Sequence, residues 1–151
     1  IKIPSKTTFS LAYIFGSRGL MSLDYEYSKP NNTKFDDEGG NDSYLFRLNG
    51  AILSGFSQSS SSLRLGGEYR IKNYSLRIGS FNYDRILDSK KNKIKGLSFG
   101  LGVTFGYFDI DIGFTRYNNY YTNSLFSNGL NTVYSVENSN SSLYTSLTIK
   151  L

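Results

Sequence analysis

The sequence lacks several residue types on which common chemistry depends. Its 151 residues include no Cys, no His and no Trp, and only two Pro. Without Cys the chain has no disulfide framework and no thiolate metal site, and without His it lacks the commonest general base and metal ligand. No Gly-rich phosphate loop follows a strand and opens a helix. The sequence therefore predicts no enzyme, no cofactor and no metal site.

Long apolar runs and clustered charge are also missing. The chain contains no run of ~20 apolar residues that would form a transmembrane helix. The 17 basic and 12 acidic residues give a net charge of +5, but the two signs are interspersed. A nucleic-acid partner, which would require a clustered basic patch, is therefore not expected. Because the chain begins at Ile1, with neither an initiator Met nor a signal peptide, we expect a mature chain or a fragment.

The dominant feature that is present is the alternation of apolar and polar side chains with a period of two. In LSFGLGVTF (Leu97–Phe105), for example, large apolar residues alternate with Ser, Gly and Thr. Such alternation predicts strands with one apolar and one polar face. Seven strands are predicted, at about Thr7–Phe15, Leu20–Lys29, Ser62–Arg70, Tyr74–Tyr83, Gly96–Phe105, Phe108–Tyr117 and Ser141–Leu151.

Strand length and connection length favour a transmembrane β-barrel over a soluble antiparallel sheet. The predicted strands run nine to eleven residues, whereas soluble strands cluster near ~5–6 and a tilted membrane-spanning strand needs about 9–11. The connections alternate between short and long, as in outer-membrane barrels with short periplasmic turns and longer extracellular loops. Short turns are predicted at Gly16–Gly19, Ile71–Asn73 and Gly106–Tyr107, and extracellular loops at about 30–61, 84–95 and 118–140.

In such a barrel the apolar face contacts lipid and the charged face lines a polar lumen. The predicted location is the outer membrane of a Gram-negative bacterium, with membrane lipid as a partner. Lumen charges of both signs are expected to pair across strands, and such structural ion pairs are the alternative to ligand contact. The lipid-facing set is Leu97, Phe99, Leu101, Ile110, Ile112, Leu147 and Ile149, and the lumen set is Arg64, Glu68, Arg77, Asp109 and Asp111.

Strand parity predicts that further strands exist. Bacterial barrels have an even number of strands and two periplasmic termini, whereas seven strands place the start of the first one outside. Alone they would also leave two long exposed edges, which invites aggregation. We therefore expect this chain to be the C-terminal part of a larger barrel, completed by an N-terminal half or by a partner chain.

The first long loop is predicted to carry a short amphipathic helix, although an eighth strand there is an alternative. Asp42 or Ser43 would cap its start and Gly55 would end it. The helix would form an apolar groove that captures a hydrophobic molecule, or would simply pack on its neighbours. The acidic segment DDEGGND (Asp36–Asp42) offers oxygen ligands for Ca²⁺ but lacks the EF-hand spacing, so a solvated tip is expected. The residues at helical spacing are Leu45, Leu48, Ile52 and Phe56.

The hairpin LRLGGEYRIKNYSLRIGSFNYD (Leu63–Asp84) resembles a stretch late in the FadL/TodX-like family of outer-membrane transporters of hydrophobic compounds. In that family a strand reading roughly lGaEYr is followed by a tight turn and a strand reading roughly lRaGy.y, similar to Leu65–Arg70 and Leu76–Tyr83 here. Gly96–Tyr117 resembles the family's next hairpin, and NSNSSLYTSLTIKL its closing strand. One departure is the final Leu151, where such chains commonly end in Phe.

The resemblance implies a fourteen-stranded barrel with an N-terminal plug, of which this chain is the C-terminal half. It also implies passive uptake of hydrophobic small molecules, such as long-chain fatty acids, through the lumen. One alternative is a FadL-like barrel that acts as a scaffold or binding subunit of a surface or protein-export complex. Another is a small structural barrel without a ligand. Haem binding is disfavoured because there is no His to ligate the iron.

Four residues are the candidates for a ligand site in the lumen. Arg64 and Arg77 lie on adjacent predicted strands on the polar face, and a guanidinium can hold a carboxylate with two parallel hydrogen bonds. Phe81 and Tyr83 continue the same face toward the extracellular end, as an apolar patch for a ligand tail would require. In the alternative interpretation, the two Arg pair with lumen carboxylates and Phe81 packs under a loop.

Overall fold

The computed structural model describes residues 1–36, 43–84, 93–124 and 133–150. These ranges contain seven β-strands, one α-helix and a 3-10 turn at Pro30–Asn32. The predicted all-β class is confirmed, and so are all seven predicted strands. The elements are β1 (Lys6–Phe15), β2 (Gly19–Ser28), α1 (Ser43–Gly55), β3 (Ser60–Ile71), β4 (Tyr74–Asp84), β5 (Lys93–Phe105), β6 (Phe108–Ser124) and β7 (Val133–Ile149).

The strands form one open antiparallel sheet in which each strand pairs with the next along the chain. β1 and β7 are the two edges of this sheet. Because consecutive strands run in opposite directions, the connections β1–β2, β3–β4 and β5–β6 lie at one end and the other three at the opposite end. The first three are the short turns. The prediction that the short turns share one end, opposite the long connections, is confirmed.

Several strands extend further than the sequence predicted. β6 continues to Ser124 and β7 begins at Val133, so the predicted loop at 118–140 was wrong in its bounds. Residues 118–124 pair with residues 133–139 in continuous register. Their Asn and Ser residues are typical of loops, but the Tyr, Thr and Val residues among them favour strands, and the main-chain pairing continues through both segments. β7 ends at Ile149, and Leu151 lies outside the described residues.

The two faces of the sheet separate the residues as predicted. Strand register aligns Leu101 with Ile112 on one face, and Glu68 with Arg77 on the other. Each predicted set shares a face throughout, because side chains alternate strictly along a strand. The faces therefore differ in chemistry through the middle of the sheet, where one face is apolar and the other carries the charges.

The apolar face is the exposed face. Leu101 is 56% exposed and Leu147 is 63% exposed, whereas polar-face residues such as Ser98 and Asp111 are half-buried. Among the described residues no hydrophobic side chain is buried. The polar face forms a trough of about 610 Å³ that extends from β2 to β7. The large apolar side chains of the sheet are therefore exposed rather than packed in a core, unlike those of a soluble sheet.

The connection between β2 and β3 carries α1, as the helical spacing of its apolar residues predicted. The four residues that define this spacing are half-buried, whereas Phe46, on another side of the helix, is 82% exposed. The Asn49 amide donates to the carbonyl oxygen of Phe35 at 2.9 Å and accepts its N–H at 2.8 Å. The helix is thus fastened to the preceding segment. Asp42 and the rest of residues 37–42, on which the Ca²⁺ alternative depends, lie outside the described residues.

None of the helices in the described ranges is long and apolar enough to cross a membrane.

Candidate functional site

Strand register places a row of small side chains across the polar face, from β1 to β7. At Gly66 a Cβ would lie only 2.8 Å from the hydroxyl oxygen of Ser22, so the floor of the trough is closely packed there. No member of this row extends far from the main chain, and the row therefore leaves open space above it. This small-residue row consists of Ala12, Ser22, Gly66, Gly79, Ser98, Thr115 and Ser142.

An ion-pair network lies on the short-turn side of the small-residue row. The Arg77 Nε donates to Glu68 Oε2 at 2.9 Å, and the Arg77 Nη1 donates to Asp111 Oδ1 at 2.5 Å. Arg70 also pairs with Glu68. Arg77 thus joins β3 to β6 across the intervening β5. It has the carboxylate partners that the alternative interpretation of its role expected.

Two glycines on β5 allow Arg77 to make this crossing. Gly100 is the register partner of Arg77, and a Cβ there would lie 3.2 Å from the Arg77 Cβ. A Cβ on Gly102 would overlap the Asp111 carboxylate and lie 3.5 Å from the Arg77 Nη1. The guanidinium therefore passes over a strand segment without side chains. A side chain at either position would crowd Arg77 or Asp111 and require one of them to shift.

An aromatic cluster, defined as Phe81, Tyr83 and Tyr117, lies on the long-connection side of the small-residue row. Phe81 stacks on Tyr83, with ring centroids 4.9 Å apart and planes inclined by 16°. The Tyr117 ring centroid lies 6.4 Å from that of Phe81. Gly96 is the register partner of both Phe81 and Tyr117. Because Gly96 has no side chain, rings from β4 and β6 meet above β5.

Arg64 lies beside the aromatic cluster, directly opposite Phe81 in register. Its closest carboxylate oxygens are those of Glu26 at 3.6 Å and Asp24 at 4.0 Å. Both distances exceed the two hydrogen bonds of Arg77, and 45% of the Arg64 side chain is exposed. Arg64 is therefore the less tightly paired of the two candidate cations, although the exposure of the two side chains is similar.

All four residues predicted from the sequence line the same trough. The structure divides them, because Arg77 is held by two carboxylates on one side of the small-residue row while Arg64, Phe81 and Tyr83 lie together on the other. The sequence prediction missed Tyr117. The alternation within its strand assigns Tyr117 to the polar face, but its proximity to Phe81 depends on the glycine between them.

Other ion pairs also link elements on the polar face. The Lys150 Nζ lies 2.9 Å from Asp109 Oδ2, and the Lys6 Nζ lies 3.3 Å from Glu26 Oε2. The predicted pairing of polar-face charges across strands is confirmed. These pairs are partly exposed, so each contributes little to the free energy of unfolding, and their main effect is to neutralise charge within the trough.

The N-terminal segment is tied to the first long connection outside the strands. The main chains of Lys2 and Lys34 exchange two hydrogen bonds, at 2.7 and 3.0 Å, and the Lys2 Nζ lies 2.8 Å from Asp36 Oδ2. The hydrogen bond with Lys2 lowers the pKa of Asp36, and the same bond raises the pKa of Lys2. This pair joins residues far from the trough.

Comparison of the chain with protein-family models, with curated proteins and with solved structures gave no match.

Proposed function

We propose that the chain forms part of a transmembrane β-barrel in the outer membrane of a Gram-negative bacterium. The observation that carries this proposal is the apolar face, whose large side chains are exposed, on the side of the sheet opposite the charged face. An apolar surface that extends over seven strands requires a cover of lipid or protein. A lipid cover agrees with the main-chain pairing, since strands in a bilayer must satisfy every backbone group through their neighbours.

The dimensions of the apolar band support a membrane span. The strands contain 10 to 17 residues, longer than the ~5–6 typical of soluble sheets. On β5 the outward apolar residues run from Leu97 to Phe105, which is about 27 Å along the strand at ~3.4 Å per residue. At a tilt of ~40° this corresponds to about 21 Å along the membrane normal, close to the ~25 Å band of known barrels.

The direction of the edge strands supports a larger barrel rather than a closed sheet of seven strands. β1 and β7 run parallel to each other, because six reversals separate them. Antiparallel closure therefore needs an odd number of further strands. If two copies of this chain closed a barrel in the same orientation, β7 of one copy would pair in parallel with β1 of the other. Further antiparallel strands would therefore complete the barrel better than a second copy of this chain. Seven further strands, from an N-terminal half or a partner chain, would give the fourteen that the FadL/TodX-like resemblance implies.

Within this barrel we infer passive passage of hydrophobic small molecules such as long-chain fatty acids. Arg64 would hold the carboxylate, because a guanidinium binds that group through two parallel hydrogen bonds and Arg64 has only distant carboxylate partners. The aromatic cluster would contact the apolar tail. The small-residue row beside it supplies unobstructed space toward the interior of the trough.

A specific observation favours a second candidate function, a scaffold or binding subunit of a surface or export complex. The Glu68–Arg77–Asp111 network crosses the trough on the short-turn side. Charged side chains in this position would obstruct an apolar molecule and suit a filled lumen. A transporter needs a continuous path past this network, whereas a scaffold does not.

Two measurements on the complete protein separate these functions. The first is a binding titration with a long-chain fatty acid, and the second is the entry of the labelled fatty acid into cells with and without the protein in the outer membrane. A channel gives saturable binding and faster entry. A scaffold shows neither saturable binding nor faster entry, although the protein is still found in the membrane fraction. Failure to insert into membranes at all would contradict the barrel itself.

A further inference from the structure

The apolar face changes character toward the end that carries the long connections. Arg116 lies in the same row as Leu97, its register partner on β5. One row further on, Lys95 lies between Asn82 and Asn118. Both cations are exposed. The border of the apolar band on β5 and β6 is therefore marked by two positive charges.

These two cations differ from most other charges of the sheet because no carboxylate among the described residues forms an ion pair with them. In the part of the chain that the structure describes, neither Lys95 nor Arg116 has a carboxylate oxygen within 4.0 Å. Arg116 makes one long hydrogen bond, from Nε to the Ser139 hydroxyl oxygen at 3.4 Å. By comparison, nearly every charge on the opposite, polar face is paired across strands.

The carboxylates nearest to this pair on the same face are engaged elsewhere. Asp84 accepts the N–H of Ser61 at 2.9 Å and lies 3.8 Å from the Lys93 Nζ. Glu137 accepts hydrogen bonds from the Asn118 amide at 2.9 Å and from the Tyr120 hydroxyl at 2.8 Å. Within the described ranges neither carboxylate forms an ion pair with Lys95 or Arg116, whose positive charge can therefore attract an external anion.

We propose that Lys95 and Arg116 bind the phosphate groups of an anionic lipid in the outer leaflet of the membrane. This inference rests on the proposed barrel, in which the long connections are extracellular and the two cations lie at the level of the lipid head groups. Long basic side chains at such a border extend their charge out of the hydrocarbon. A guanidinium also binds phosphate with two parallel hydrogen bonds.

The spacing of the two side chains suits a phosphorylated head group. Lys95 and Arg116 are diagonal neighbours on paired strands, an arrangement with a separation of roughly 7–8 Å. Both side chains therefore reach a single phosphate between them or two phosphates on one head group. Leu97 and Phe114 continue the face below them and would contact the acyl chains of the same lipid.

The test compares two forms of one glycolipid, an acylated glucosamine disaccharide with its phosphates and the same molecule without them. The complete protein in a neutral detergent is titrated with each form, and with inorganic phosphate as a third probe. We expect tight binding of the phosphorylated lipid only. Equal binding of both lipid forms would overturn the proposal, and so would saturable binding of inorganic phosphate alone, which would indicate a free-anion site.

Charge-removing variants assign the binding to these residues. We expect the double variant Lys95→Gln/Arg116→Gln to bind the phosphorylated lipid roughly tenfold more weakly or worse, since each cation near an anionic lipid contributes about 1 kcal/mol. The matched control is Arg18→Gln/Lys72→Gln, which removes two charges at the opposite end of the sheet and should leave the affinity unchanged. Equal losses in the two variants would overturn the assignment.

A separate measurement distinguishes failure of this inference from failure of the barrel. Insertion of each variant into vesicles of zwitterionic lipid is followed by protection of the strands from protease. If all variants insert but show no preference for the phosphorylated lipid, the lipid site alone is wrong. If the unaltered protein does not insert, the barrel is wrong and the lipid site fails with it.

Discussion

The ring of Phe81 lies directly over Gly96, its register partner on the neighbouring strand. A Cβ at position 96 would overlap this ring. The missing side chain lets the ring lie against β5, where it stacks on Tyr83 with a centroid distance of 4.9 Å. The aromatic part of the trough therefore depends on the absence of a side chain at this one glycine.

Substitution of this glycine should displace the aromatic cluster. We expect Gly96→Ala to lower the free energy of unfolding of the complete protein by about 1–3 kcal/mol, because an added carbon in a filled site forces side chains out of place. Fatty-acid affinity should fall as well. The control is Gly113→Ala on the same face, where a Cβ would meet only the Phe99 carbonyl oxygen at 3.9 Å. Equal effects of the two variants would show that Phe81 does not depend on position 96.

The two lumen arginines should differ in their effect on ligand binding. We expect Arg64→Gln to weaken binding of a long-chain fatty acid by about 1.5–3 kcal/mol, the range for a hydrogen bond to a charged group. Arg77→Gln should leave affinity nearly unchanged but lower stability, since Glu68 and Asp111 lose their shared partner. The comparison ligand is the corresponding fatty alcohol, which has no carboxylate and should not distinguish Arg64 variants. A larger loss of affinity in Arg77→Gln would reverse the two roles.

The faces of the sheet could be predicted from the sequence because a strand has a side-chain period of two. A single apolar residue on β5, such as Leu97, determines the face of every other residue in that strand. The bounds of β6 and β7 could not be predicted in the same way. In residues 118–124 and 133–139, Asn and Ser, which are typical of loops, are interspersed with Tyr, Thr and Val, which favour strands. Their pairing continues the β6–β7 ladder that begins at Phe108 and Ile149.

The ion-pair network depends on register, which alternation alone does not determine. The short turn at Lys72–Asn73 makes Glu68 and Arg77 register partners. Their pairing could be predicted from the sequence, because the length of a tight turn determines the register of its hairpin. The contact with Asp111 on β6 is different, because it spans the whole width of β5. It requires the absence of side chains at Gly100 and Gly102, a condition that becomes visible only when three strands are aligned.

The turn between β3 and β4 contains a strained residue. Lys72 has a φ of 53°, whereas the other two short turns place Gly16 and Gly106 at φ values of 61° and 53°. A left-handed conformation costs a residue with a Cβ roughly 1–2 kcal/mol. We expect Lys72→Gly to raise the free energy of unfolding by about 0.5–1 kcal/mol, after the greater freedom of glycine in the unfolded chain is subtracted.

The opposite substitution in the matching turn provides the control for Lys72. Gly106→Ala should lower the free energy of unfolding by about 1 kcal/mol, because it places a Cβ at the same backbone angle. Urea unfolding of the complete protein in lipid measures both variants. A destabilising effect of Lys72→Gly would show that the lysine side chain has a contact that outweighs the strain.

The tie between the N-terminal segment and the first long connection should depend on pH. The pKa of Asp36 is lowered by Lys2, so the pair stabilises the tie above the usual carboxyl pKa of ~3.9. The contribution is lost as pH falls through the lower pKa of the folded state. On the alkaline side the contribution is fully present below the usual pKa of Lys2 and is lost as pH rises through the raised pKa of Lys2 in the folded state. The protection of the Lys2 and Lys34 amides from hydrogen exchange, relative to the intrinsic rate at each pH, should fall at acid pH, and Asp36→Asn should abolish that dependence.

The two faces of the sheet should differ in their tolerance of charge if one of them contacts lipid. Ile112 lies on the apolar face, 47% exposed, and Thr115 lies on the polar face of the same strand, in the small-residue row. We expect Ile112→Arg to lower the free energy of unfolding in a bilayer by about 2–4 kcal/mol if the site is near the midplane, the range for Arg on the lipid face of a barrel. Thr115→Arg should cost much less, because its charge would enter the polar trough. Equal costs in lipid would show that the faces are assigned wrongly, and a small cost for both would place neither face in the hydrocarbon.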